Sequence, residues 1–220
     1  MTHFGLSDTT SRRGALLGAA AALLLSSRSG LAAIADASAT PREFIQRLGD
    51  RTVQILNEPQ SENARKLQEL KRLLDEATDL DLIARLVMGR YWREASETQK
   101  AEYLELFRAL VMQTMAERFS WYTGETFEIT DAKPVDERDT IVSTRINRTN
   151  GKPPILVDWR VRKGERGYLL VDIVAEGVSL VVTQRSEAAE IIGRSGIDGL
   201  LAEMRKRIAR RDAGRSPTGT

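Results

Sequence analysis

Residues 169–187 read LLVDIVAEGVSLVVTQRSE. From Leu169 to Ala175 only Asp172 is polar, and after Glu176-Gly177 the apolar run resumes at Val178. Strict alternation places Leu169, Val171, Ile173 and Ala175 on one side of a strand and Tyr168, Leu170 and Val174 on the other. An antiparallel strand with one solvated face is polar on that face; this one is apolar on both. Two arrangements account for the pattern. The strand is covered by helices on both sides, or one of its faces lines an apolar cavity. In the second arrangement Gly177 bends the chain at the strand end, and Val178, Leu180 and Val182 continue the lining. A cavity of that kind binds a molecule without transforming it.

The segments upstream complete a meander. Ile155 to Arg162 alternates, with Ile155, Val157, Trp159 and Val161 against Asp158, Arg160 and Arg162. Thr140 to Asn147 sets Val142, Thr144 and Ile146 on one face, and Thr126 to Thr130 is a further candidate strand. Asn150-Gly151 and the pair Gly164 and Gly167 mark turns. Before the strands the period is helical. Pro41 to about Asn57 carries Phe44, Ile45, Leu48, Val53, Ile55 and Leu56 on a broad stripe. Ser61 opens a second helix bearing Leu67, Leu70, Leu73 and Leu74, and Leu80 to Val87 forms a short helix ending at Gly89. Ser96 and Gln99 have capping-box spacing. They open a long helix to about Ser120 whose buried side comprises Tyr103, Phe107, Leu110, Val111, Met115 and Phe119. Helical patterns return at Ser186 to Ile192 and Asp198 to Arg210, and Asp212 to Thr220 reads as a disordered tail. Helices, then strands, then helices predict the α+β class: helices packed on a curved antiparallel sheet of about four strands.

The first 35 residues read as an export signal rather than as fold. Arg12 and Arg13 precede the apolar run Gly14 to Leu25, which is well short of the roughly 20 residues of a membrane-spanning helix. Ala33-Ile34-Ala35 supplies a small-x-small cleavage pattern, so the route is the twin-arginine or the general secretory one. The remainder, residues 36–211, suits one domain. The chain has 33 basic and 31 acidic residues, and the leader's Arg12, Arg13, Arg28 and Asp8 account for the difference. With no basic surplus left, nucleic acid is not the expected partner.

Cysteine is absent and the one histidine is His3, inside the leader. The expected mature chain therefore holds no Ser-His-Asp triad, no Cys nucleophile and no His or Cys metal or haem site. No cofactor is expected. Asp158 and Asp172 could be read as a glycosidase acid pair, but Arg160 and Arg162 offer them cross-strand charge partners instead. Glu176 reads as a turn or cap residue. Arg90-Tyr91-Trp92-Arg93 suits either an anionic head group or sheet-edge partner, or an amphipathic clamp between two helices. Arg205-Lys206-Arg207 with Arg210-Arg211 reads as a solvated helix end, favoured by the macrodipole, or as an anionic membrane contact.

Several segments together resemble one family. Met88-Gly89-Arg90-Tyr91-Trp92-Arg93, Val157-Asp158-Trp159-Arg160-Val161, the run Asp172 to Leu180 followed by Thr183-Gln184-Arg185-Ser186-Glu187, and Ile197-Asp198-Gly199-Leu200-Leu201 are similar, in this order, to segments of the MlaC, or toluene-tolerance, family of periplasmic phospholipid shuttles. The resemblance implies an NTF2-like α+β fold with an apolar pocket for acyl chains and no enzymatic activity. It implies a periplasmic location, a phospholipid ligand, an outer-membrane lipoprotein complex and an inner-membrane ABC transporter bearing an MCE-domain protein as partners. Ala188, Tyr168 and Leu169 depart from residues frequent in that family, and a hopanoid-associated branch keeps a polycyclic lipid among the ligands. A non-enzymatic adaptor that buries a protein partner is the reading from a different class. The pool expected to line the pocket is Phe107, Val111, Met115, Trp159, Tyr168, Val171, Val174, Val178 and Leu180, with Arg90 and Arg185 at a head group or partner. An acyl chain of about 16 carbons exposed to water costs on the order of 12 kcal/mol, at roughly 0.8 per methylene. A carrier needs an interior that matches the tail and no catalytic group.

Overall fold

The computed structural model describes residues 40–59, 63–165 and 167–215. The export signal, the Ser61 helix start and residues 216–220 of the expected tail lie outside the described residues. Among the described residues five helices and five strands follow in the order α1 (Pro41–Leu56), α2 (Asn63–Ala77), α3 (Leu80–Met88), a 3₁₀ turn (Gly89–Arg93), α4 (Glu97–Ser120), β1 (Thr126–Pro134), β2 (Asp139–Asn147), β3 (Ile155–Gly164), β4 (Gly167–Ala175), β5 (Val178–Ser179) and α5 (Leu180–Arg215). The helix starts are capped as their sequences dictate. Thr40 and Glu43 form a capping box with Pro41 in the first turn of α1, Ser96 and Gln99 form another on α4, and Asp79 caps α3. The last helix continues to Arg215, past the expected domain end at residue 211.

The strands form one antiparallel sheet in the order β1-β2-β3-β4-β5. Four are long, as expected, and the fifth spans only Val178–Ser179. Two register shifts interrupt the ladders, one between Ile129 and Asp131 on β1 and one opposite Arg160 and Val161 on β4. Such bulges bend a sheet and increase its twist.

The β4 bulge resolves the doubly apolar strand. Trp159 pairs with Ile173 and Arg160 with Asp172, but Val161 pairs with Leu170, leaving Val171 as the extra residue. Directly opposed residues share a face. Tyr168, Leu170, Ile173 and Ala175 therefore lie with Val157, Trp159 and Val161, while Leu169, Asp172 and Val174 lie with Arg162, Arg160 and Asp158. This corrects the strict alternation expected from the sequence. Helices α1 and α2 cover the first face, where Phe44, Ile45, Ile55, Leu70, Leu73 and Ala77 meet Ile129, Val142, Val161 and Leu170 in one core cluster. Gly49 lets α1 come down on the sheet, because the Phe127 ring occupies the space a Cβ there would need.

The second correction concerns residues 178–182. They do not continue an extended lining: Glu176 and Gly177 (φ 48° and 79°) close a two-residue hairpin, and α5 begins at Leu180, not Ser186. Positive φ at both central residues is the geometry that matches strand twist in such hairpins. α5 breaks at Gly196, whose φ of 70° and ψ of −178° turn the chain. Its two halves fold back on each other closely enough for Arg207 to reach Glu187 at 3.4 Å.

Candidate functional site

The apolar interior of this domain is divided. Beside the cluster on the sheet stands a second one, formed by Ala84, Val87 and Met88 of α3, Tyr103 of α4, and Ala188, Ile192, Leu200, Leu201 and Met204 of α5. Helix α4 spans both. Phe107 and Leu110 pack at the rim of the helical cluster, and Met115 and Phe119 at the rim of the sheet cluster. Val111 lies between them on the same helix and belongs to neither. Tyr103 is 1% exposed, whereas Phe107, Leu110, Val111, Met115 and Phe119 are all only half-buried. On the sheet side Trp159, Tyr168 and Ile173 are likewise half-buried, although their face is the one the helices cover. Half-buried apolar side chains thus stand at the rims of both clusters: Phe107 and Leu110 at the helical one, and Met115, Phe119, Trp159, Tyr168 and Ile173 at the sheet one.

The predicted residues distribute unevenly over these rims. Phe107 lies at the helical rim, Met115, Trp159 and Tyr168 at the sheet rim, Val111 between them on α4, and Val171 is buried in β4 at 2% exposure. Val174 sits on the opposite sheet face, where it lines an open recess of about 320 Å³ with Leu156, Asp158 and Glu176. Val178 and Leu180 stand outside, 56% and 48% exposed, at the hairpin and the start of α5. Ile173 and Phe119 stand at the sheet rim as well. Phe119 was legible as part of the α4 stripe, and Ile173 became assignable only through the bulge.

Trp159 is pinned. Its indole Nε1–H donates to Thr144 Oγ1 at 2.8 Å, and that hydroxyl donates to the Val157 carbonyl at 2.9 Å. Thr144 itself is 2% exposed.

Beside the helical cluster the arginine-aromatic segment is the clamp that one reading of the sequence envisages. Trp92 receives Arg85 of α3 at 5.5 Å and Lys100 of α4 at 5.7 Å, and its ring meets Tyr103 at 6.5 Å. The Tyr103 hydroxyl donates to the Ala84 carbonyl at 3.1 Å, and burial pushes its phenol well above the ordinary value. Arg90 stacks on Tyr91 at 4.8 Å and donates to its hydroxyl. The Nε–H of Arg185 donates to Leu86 O at 2.7 Å, at the end of α3, and its stem runs beside Gly89. Both candidate cations are exposed and each is held by a neighbour.

The carboxylates have other duties than catalysis. Arg160 and Arg162 bind Asp139, not Asp158 or Asp172, through contacts of 2.8 and 2.7 Å. The Arg162 hydrogen bonds, helped by Arg160, hold the buried Asp139 carboxyl down at about 2 despite its desolvation. Asp172 caps the start of α5, accepting from the Ser179 hydroxyl and from Val181 N–H. Glu176 accepts from Leu156 N–H at 2.8 Å. Among the described residues no group of three or more His, Cys, Asp or Glu side chains is placed to hold a metal ion, and no helix is long and apolar enough to cross a membrane.

The family model described as "MlaC protein" matches residues 46–206. The chain belongs to the MlaC family. The MlaC binding protein of an intermembrane phospholipid transport system in Haemophilus influenzae is 26% identical over 131 residues, 58% of this chain and 61% of that relative's length. The solved structure of a phospholipid-binding protein from Ralstonia solanacearum, in complex with a phospholipid, superposes with a TM-score of 0.67 at 24% identity, covering 76% of this chain and 96% of that one. That likeness establishes the MlaC-type fold for the arrangement of helices and sheet described above.

Proposed function

We propose that this MlaC-family chain is a periplasmic phospholipid carrier. It takes acyl chains into the space between its two apolar clusters and moves lipid between outer- and inner-membrane complexes, so maintaining outer-membrane lipid asymmetry. The observation that carries the reading is the divided core: large apolar side chains of α4 and of the covered sheet face stay half-buried at the rims of two separate apolar clusters. Apolar surface left in that condition gains about 25 cal/mol for each Å² that a hydrocarbon tail covers. The names of the Haemophilus relative and of the Ralstonia structure support a phospholipid as the occupant.

Phe107, Val111, Met115, Trp159 and Tyr168 would meet the tails, and Arg90 and Arg185 would meet the phosphate of the head group. The leader at residues 1–35 would deliver the chain to the periplasm, residues 36–211 forming the lipid-binding domain. Its partners there would be an outer-membrane lipoprotein complex and an inner-membrane ABC transporter with an MCE-domain protein. Nothing in this cycle requires covalent chemistry. Release follows when a partner competes for the lipid or favours a conformation that binds it less well. Mass spectrometry of protein purified without detergent tests the proposal. Co-purified diacyl lipid is expected, a polycyclic lipid would point to the hopanoid branch, and a clean apo mass would overturn the carrier reading.

One observation favours the adaptor reading. Val178, Leu180 and Val182 are 56%, 48% and 57% exposed around the start of α5. A pull-down that retains a protein partner while lipid extraction finds nothing would replace the carrier with the adaptor.

A further inference from the structure

Tryptophan is an awkward wall for a hydrocarbon. Its ring is a large apolar surface, but its indole N–H loses a hydrogen bond to water whenever a tail displaces that water. Trp159 stands on the covered face of β3, between Val142 of β2 and Ile173 of β4, half-buried at the rim of the sheet cluster. Its N–H is already occupied. It donates across the ladder to Thr144 Oγ1 at 2.8 Å, on the diagonal, since Thr144 lies directly opposite Val157. The hydroxyl in turn donates a hydrogen bond to the Val157 carbonyl at 2.9 Å. A hydroxyl has one proton to give and lone pairs to receive with. Here both functions are used, and Thr144 is 2% exposed. The other buried positions of this face, Ile129, Val142, Val157, Val161 and Leu170, are aliphatic. Thr144 is the hydroxyl among them, and Trp159 is the side chain that uses it.

We propose that Thr144 is a positioning residue for the lipid-binding space. It satisfies the Trp159 indole from within the sheet, fixes the ring orientation, and makes the wall at this point apolar to an incoming tail. The proposal rests on the carrier reading. Valine at 144 keeps the shape and removes the acceptor. The indole N–H must then turn toward the space to find water, so the wall becomes wet where a tail should lie. Serine keeps the hydroxyl and loses only a methyl group.

The test uses Trp159 as the reporter in a Trp92→Phe, Trp121→Phe background, with phosphatidylglycerol carrying a dibrominated acyl chain exchanged into the protein. Bromine quenches a tryptophan it touches. In the parent the Trp159 emission is expected to be blue-shifted and quenched. In Thr144→Val it should shift to the red and lose much of the quenching, and Thr144→Ser should restore both. Thr144→Val emission and quenching equal to the parent's overturn the proposal. So does loss of quenching in Thr144→Ser, because packing of the methyl group, not the hydroxyl, would then set the ring. Hydrogen exchange of the Trp159 indole in the unsubstituted chain gives a readout that needs no variant. It should be slow relative to the exposed Trp121, and equal rates overturn the proposal. A parent that carries lipid by mass but shows no quenching refutes the placement of Trp159 alone. A parent that carries no lipid refutes the carrier reading itself.

Discussion

The Asp172 carboxylate of β4 accepts a hydrogen bond from the Ser179 hydroxyl at 2.6 Å, and Ser179 in turn accepts from Val182 N–H at 3.0 Å. Asp172 also accepts from Val181 N–H at 3.1 Å. Two side chains thus serve the first free amides of α5, and one of them belongs to the strand two turns of chain earlier. Helix α5 is thereby fastened to β4 at the place where both leave the hairpin. Asp172→Ala should lower the free energy of unfolding by about 1–2 kcal/mol, the usual range for a lost cap with a freed buried donor. Urea denaturation measures this. A change below about 0.3 kcal/mol would show that the cap is not holding the helix.

This fastening also explains which parts of the fold could be read from the chain and which could not. Helices α1 to α4 and the four long strands follow from apolar period, caps and turn residues. The start of α5 does not, because Leu180-Val181-Val182 reads as strand by propensity and the carboxylate that caps it lies back on β4. β1 reads as ending at Thr130 because the bulge between Ile129 and Asp131 resets its alternation there. The same kind of event on β4 moved Ile173, expected beside Val171, to the face of Trp159, and sent Val174 to the other. A bulge belongs to a pair of strands, and a single strand's pattern does not contain it. The divided core is likewise a tertiary fact. The α4 residues Phe107, Val111 and Met115 were identifiable as one stripe, but which of the two clusters each packs against depends on where α5 and the sheet lie.

Asp139 predicts the behaviour in acid. Its carboxyl sits near 2, below the usual 3.8, because Arg162 and Arg160 favour the charged form. A depressed value means that the stabilisation is complete above the unfolded-state pKa and disappears as pH falls through the folded one. Between about pH 4 and pH 2 the domain should lose about 2 kcal/mol from this site. Asp139→Asn should be less stable by about that amount at neutral pH and should lack this part of the acid dependence. Unfolding free energies followed from about pH 5 to pH 2 in both proteins decide the matter; parallel curves would refute the assignment.

Gly49 and Phe127 form a lock between α1 and β1. A Cβ at residue 49 would overlap the Phe127 ring, which packs against the sheet cluster. Gly49→Ala should destabilise by about 1–3 kcal/mol through overpacking, despite the better helix propensity of alanine. Phe127→Leu removes the ring that collides. The double variant should therefore be more stable than the sum of the single effects predicts, by at least about 0.5 kcal/mol. Strict additivity in thermal or urea melts would mean that the ring and the helix are not in register as described.

Val111 separates lipid binding from stability. It is half-buried on α4, between the Phe107 rim of one cluster and the Met115 rim of the other, and belongs to neither. A carboxylate placed there can remain hydrated in the empty protein but must be desolvated when a tail lies against it. Val111→Glu should therefore shift the melting temperature little and reduce co-purified lipid at least about tenfold, since burying an unpaired charge costs far more than the 1.4 kcal/mol that a factor of ten represents. Val178→Glu is the control. Its side chain is 56% exposed at the hairpin, so the same charge should leave lipid content unchanged. Quantitative lipid extraction against protein mass gives both values. Undiminished lipid in Val111→Glu, or equal losses in the two variants, would place the tails somewhere other than between α4 and the covered face of the sheet.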